Sequence, residues 1–125
     1  MTADERLYTV EEADATLPEL RERLDRIRRA RQAMLREAEL VRERVVEDGG
    51  GAHAGREYWE STGTLRAEIE RLAVEGILLR DPETGLVDFP AEREGERVYL
   101  CWRLGEERVS HWHPLDTGFA GRRPL

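Results

Sequence analysis

Residues 76–113 read GILLRDPETGLVDFPAEREGERVYLCWRLGEERVSHWH, and the fold turns on this stretch. Its apolar period is two: Val98, Leu100 and Trp102 share one side of an extended chain, and Tyr99, Cys101 and Arg103 the other. Turn residues punctuate it at short intervals. Asp81-Pro82-Glu83-Thr84-Gly85 places proline at a first corner, and Glu94-Gly95-Glu96 follows. Gly105-Glu106 is expected to close a third turn as a two-residue loop. The strands expected are Ile77–Arg80, Leu86–Phe89, Arg97–Arg103 and Val109–His113, with Pro90 marking an edge or strand end. Residues 76–125 are thus an antiparallel β-meander of three to four strands with a C-terminal tail.

Upstream of Gly76 the period lengthens to that of a helix. Thr9-Val10-Glu11-Glu12 is a capping box. Pro18 is expected to end a short first helix and to open a longer one. From there Leu20, Leu24, Ile27, Arg31, Met34, Ala38, Val41 and Val45 recur at 3-4 spacing, a coiled-coil seam with Leu17 preceding it. Arg31 on that seam implies a carboxylate from the partner helix, or the point where that partner ends. The glycine-rich connection 49–55 leads to a second helix near Arg56–Glu75, with Tyr58, Thr62, Leu65, Ile69 and Leu72 along one side. The two form an antiparallel helical hairpin over residues 9–75. The chain 1–125 is therefore an α+β single domain: a long helical hairpin, then a small meander. The first helix exceeds the second by about ten residues, so either the sheet or another subunit must cover the surplus seam; a homodimer is the expected answer.

Composition bounds the chemistry. All 20 basic residues are arginine, so lysine Schiff bases, pyridoxal phosphate anchors and Walker-type lysines are excluded. The net charge of −7 argues against a nucleic-acid partner, which needs a basic face. The six arginines of Arg21–Arg31 scatter around their helix, and Glu19–Arg23, Glu22–Arg26 and Asp25–Arg29 are i,i+4 pairs that account for them. No apolar run is long enough for a membrane span, no leader of basic and apolar residues opens the chain, and Cys101 stands alone; a soluble cytoplasmic protein is expected.

The polar side chains of the meander are the candidate site. His111 and His113 lie two apart on one strand face, with Asp116 beyond; they would hold Zn or Fe if Cys101 or Asp88 added ligands. Register decides this. A two-residue loop at Gly105-Glu106, the favoured reading, pairs Trp102 with Val109, Leu100 with His111 and Val98 with His113, turning Cys101 away. A three-residue loop sets Cys101 opposite His111. Cys101 would need a base and a lowered pKa to act as a nucleophile; a mid-strand cysteine is more often a small buried hydrophobe. Gly118–Arg123 offers amides and guanidinium groups for a carboxylate or phosphate, against the simpler reading that its arginines pair with the acidic helices. Asp88, between Val87 and Phe89, must find a donor, and Arg122 or Arg103 is expected to supply it. Two functions follow: a self-associating interaction or regulatory module with no cofactor, or a small metal-binding protein or enzyme with a pocket at Asp88, Cys101, His113 and Arg122.

Several motifs together carry a family resemblance. They are Tyr8-Thr9-Val10-Glu11-Glu12-Ala13, Leu17-Pro18-Glu19-Leu20, Gly85-Leu86-Val87-Asp88-Phe89-Pro90, Val98–Glu106, Trp112-His113 and Gly118-Phe119-Ala120-Gly121-Arg122. With these the chain resembles, over essentially its whole length, the small prokaryotic family catalogued as domain of unknown function 2203. The resemblance implies a soluble bacterial protein of one domain and carries no activity. His111, where an aromatic is expected, and Pro114, where an acid is expected, depart from the pattern.

Overall fold

The computed structural model describes residues 5–48 and 55–125. Residues 49–54 of the predicted glycine-rich connection lie outside the described residues, as does the side chain of Val45 at the end of the predicted seam. Helix α1 spans Val10–Asp48 and helix α2 Arg56–Val74. Strands β1 (Leu78–Asp81), β2 (Leu86–Arg93), β3 (Glu96–Arg103), β4 (His111–Pro114) and β5 (Arg123–Pro124) follow. They form one antiparallel sheet in chain order, so the architecture is α+β with a helical hairpin, as the periodicity implied. A fifth strand joins the expected three or four because the chain end returns along β4.

The caps behave as their sequences dictate. Thr9 Oγ1 accepts from the Glu12 amide at 3.0 Å while the Thr9 amide donates to Glu12 Oε1 at 2.9 Å. At the end of α2, Gly76 adopts φ +77°; its amide donates to the Ala73 carbonyl and that of Ile77 to the Leu72 carbonyl, both at 3.0 Å. This is a Schellman stop with Leu72 and Ile77 buried as its apolar contact.

Two prolines do not end their elements. Pro18 lies inside an unbroken α1. It is exposed, while Ala13, Leu17, Leu20 and Leu24 on other positions of the same turns are buried in the core. A mid-helix proline costs about 3 kcal/mol, and each buried leucine returns about 1.5–3 kcal/mol, so packing wins. Pro90 lies mid-strand, paired with Tyr99. Its carbonyl accepts from the Tyr8 amide at 2.7 Å, so its backbone polar edge faces away from β3, on the side where β1 has already ended. No ladder donor is lost there; the edge reading holds and the strand-end reading does not.

The favoured β3–β4 register is also overturned. Cys101 pairs with His111, Leu100 with Trp112 and Tyr99 with His113. The connection is not a two-residue loop but the longer stretch 104–110. Its Trp102 end is held by an indole bond to the Glu106 carbonyl at 3.1 Å. Val109 is drawn into the core, with its amide donating to Asp14 Oδ1 on α1 at 2.7 Å. That contact from a distant helix fixes the slip.

The core lies between α1 and one face of the sheet. Val87, Phe89 and Ala91 of β2 and Val98, Leu100 and Trp102 of β3 meet Leu17, Leu20, Leu24 and Ile27 of α1. Tyr8 packs edge-on against Phe89, with ring centroids 5.1 Å apart. Helix α1 turns a second side to α2: Ala30 and Ala33 are buried, and buried Arg23 binds Glu68 at 3.2 Å and Glu75 at 2.5 Å. Arg31 pairs with Glu83 at 3.1 Å, in the β1–β2 turn and not on the partner helix, which does not end there but runs on to the level of Glu37; neither expectation for the seam arginine holds.

Candidate functional site

The sheet face turned away from the helices carries the polar candidates. Alternation along β2, β3 and β4 sends Asp88, Cys101, His111 and His113 to that face, and all but His111 are buried. The ligand atoms of Asp88, Cys101 and His113 lie within 4.8 Å of one another. His113 Nε2 is 3.1 Å from both Asp88 oxygens, and its Nδ1 is 2.7 Å from the Pro114 carbonyl. A carbonyl can only accept, so Nδ1 carries a hydrogen, and one proton must lie between Nε2 and the carboxylate.

Asp88 finds its guanidinium in Arg80 of β1, whose Nε donates to Oδ2 at 2.9 Å, and not in Arg122 or Arg103. Arg80 also stands over the Tyr99 ring, which tilts against His113 with centroids 5.5 Å apart. Sequence reasoning missed Arg80, although a hairpin closed at Asp81–Gly85 sets it diagonal to Asp88 and the cross-strand charge pair was readable. It missed Glu106 as well. Arg122 binds Glu106, donates to His111 Nδ1 at 2.7 Å, and lies over Phe119. Burial opposes ionisation of Glu106, but the hydrogen bonds from Arg122 outweigh it and hold that carboxyl below its ordinary range.

The structure therefore joins three of the four predicted pocket residues directly. Arg122 borders the group through its charge on Cys101. The alternative metal trio does not assemble: among the described residues His113 groups with Asp88 and Cys101, while His111 Nδ1 is taken by Arg122 and Asp116 is exposed. Nor do the tail arginines pair with the acidic helices as the simpler reading held; Arg122 pairs in the β3–β4 loop and Arg123 lies over Trp112. Burial, with the Asp88 charge second, pushes the Cys101 thiol up to about 12, against a smaller pull from Arg122. That direction disfavours the thiolate which a nucleophile needs.

Segment 115–119 crosses this face and leaves a cavity of about 390 Å³ whose walls include Arg80, Asp88, His113, Asp116, Thr117 and Phe119. Asp88 and His113 thus border solvent-accessible space despite their burial.

A second feature lies at the far end of the hairpin. Glu37 faces Gly55, whose amide donates to its Oε1 at 3.1 Å, so α2 begins level with that turn and α1 continues through residues 38–48 without it. Leu35 and Leu40 of α1 and Trp59 of α2 are 53%, 43% and 64% exposed. No helix among the described residues is long and apolar enough to cross a membrane.

No curated protein and no solved structure matches the chain. A family model does, over residues 6–125, and it spans both the hairpin and the polar sheet face. The chain belongs to the family described as "Uncharacterized conserved protein (DUF2203)".

Proposed function

We propose that this chain is a small bacterial, cytoplasmic interaction module that self-associates, two copies pairing as a homodimer through the distal hairpins in coiled-coil fashion. The observation that carries the reading is the overshoot of α1. Residues 38–48 run past the start of α2, with Leu35 and Leu40 open. Among the described residues no second helix lies along 38–48, and helices in proteins owe most of their stability to packing of an apolar face.

A second copy suits this face better than an unlike partner of one charge. Arg36, Glu37, Glu39, Arg42 and Glu43 on α1, with Arg56, Glu57 and Glu60 on α2, mix both signs. A two-fold interface sets each residue against its counterpart's neighbour, and mixed signs are then self-complementary. Residues 29–48 form a helix about 30 Å long, a length over which a two-helix face can approach the ~800 Å² per partner of a standard interface.

Light scattering on the eluted protein tests the reading. The wild-type chain is expected at twice its monomer mass, and the double variant Leu35→Glu, Leu40→Glu at the monomer mass with unchanged circular dichroism. Both positions are exposed, so the monomer fold should change by less than about 0.5 kcal/mol. A monomeric wild type at high concentration, or a double variant that stays dimeric, overturns the proposal.

A further inference from the structure

The outer sheet face gathers three unlike donors at one point. Asp88, Cys101 and His113 come from three successive strands, all buried, with their ligand atoms inside 4.8 Å. Strand pairing fixes them: Asp88 opposes Cys101 across β2–β3, and Tyr99 opposes His113 across β3–β4. A donor triangle built on strands holds its shape better than one built on loops.

Two outer hydrogen bonds aim these donors. The His113 Nδ1–H is spent on the Pro114 carbonyl at 2.7 Å, which turns Nε2 inward. A ligating histidine that donates its other N–H to a backbone carbonyl is the usual surrounding of a protein-bound metal. Arg80 holds Asp88 Oδ2 at 2.9 Å and leaves Oδ1 for another partner. The 3.1 Å between Nε2 and Oδ1 is close to the edge of a tetrahedron with bonds of ~2 Å.

We propose that Asp88, Cys101 and His113 form a mononuclear site for a divalent transition metal, zinc(II) before iron(II). One thiolate, one imidazole and one carboxylate make a zinc-type donor set. The iron(II) facial triad uses two imidazoles, and the other histidine among the described residues, His111, is turned onto Arg122. Two anionic donors balance the dication, so the buried site carries no net charge of its own. Binding forms the bonds to sulfur, Nε2 and Oδ1 and releases two protons to solvent, that of the thiol and that held between Nε2 and Asp88; the metal keeps its oxidation state. The fourth position is left to a water or small ligand entering from the cavity beside Thr117 and Asp116.

Cobalt(II) chloride is the probe, added to the full chain freed of metal with a chelator. One equivalent is expected to give a thiolate-to-cobalt charge-transfer band in the near ultraviolet and the visible bands of tetrahedral cobalt, both displaced by zinc. The chain has one cysteine, so the charge-transfer band reports Cys101 without any variant. Cys101→Ala should abolish that band, and His113→Gln should lower cobalt affinity at least tenfold. Absence of a charge-transfer band in folded wild-type protein overturns the proposal. So does cobalt binding that survives both substitutions unchanged, which would place the ion elsewhere. Oligomeric mass is unaffected by this site, so its failure and that of the dimer are separable.

Discussion

Replacing Asp88 by alanine in the metal-free chain is expected to lower stability by about 3 kcal/mol. Asp88 is 2% exposed and accepts from Arg80 Nε while facing His113 Nε2 across 3.1 Å. Removing the carboxylate strands the His113 ring, itself buried, with its inner nitrogen unpaired. Arg80 is partly exposed and turns to water, so it adds little to the loss. Asp88→Asn keeps one acceptor oxygen and should cost about half as much, because a neutral amide still serves Arg80. Urea midpoints of the three proteins measure both figures. A loss below about 1 kcal/mol for Asp88→Ala would mean that the sheet's outer face does not depend on its carboxylate.

The second large effect belongs to the hairpin. Arg23 is 3% exposed, bound to Glu68 and Glu75, and its Nη2 has no partner among the described residues. Glu68 also binds Arg26 at 2.8 Å, which makes it the shared anion of two guanidinium groups. Glu68→Gln leaves Arg23 buried with Glu75 as its remaining counter-charge, and a loss of about 2–3 kcal/mol is expected at neutral pH. The pH dependence follows from the direction of the Glu68 shift. Burial raises its pKa, but the hydrogen bonds from Arg26 and Arg23 prevail and hold it below the ordinary carboxylate value. A depressed folded-state pKa means the contribution is full above the unfolded value of about 4.3 and is lost as pH falls through the lower folded value. The gap between wild type and Glu68→Gln should therefore be widest near neutrality and narrow below about pH 4. A gap that widens in acid would contradict the assignment of Glu68 as the charged partner.

Local signals were legible wherever neighbouring residues settle the outcome. The Thr9 capping box, the Gly76 stop, the alternation of Val98, Leu100 and Trp102, and the surplus length of the first helix all rest on near-neighbour chemistry. The gathering of Asp88, Cys101 and His113 was anticipated from their residue types, though the favoured register spoke against it. What stayed hidden depends on distant contacts. Asp14 captures the Val109 amide across 95 positions and so sets the β3–β4 slip. The Arg80–Asp88 pair, only eight positions apart across the β1–β2 hairpin, is instead a readable local signal, and Arg122 or Arg103 was expected in its place. Pro18 and Pro90 were read by their local penalties, and in each case the packing around them outweighs or avoids that penalty. Strand β5 has two residues, too few for any period to register.

Concentration-dependent hydrogen exchange along α1 tests the central proposal, that the distal hairpin is an interface between copies. The self-association account predicts that amides of residues 38–48 exchange slowly at high protein concentration and speed up on dilution, while those of residues 17–30, packed on the sheet and α2, stay protected throughout. Fast exchange of residues 38–48 at every concentration would contradict it.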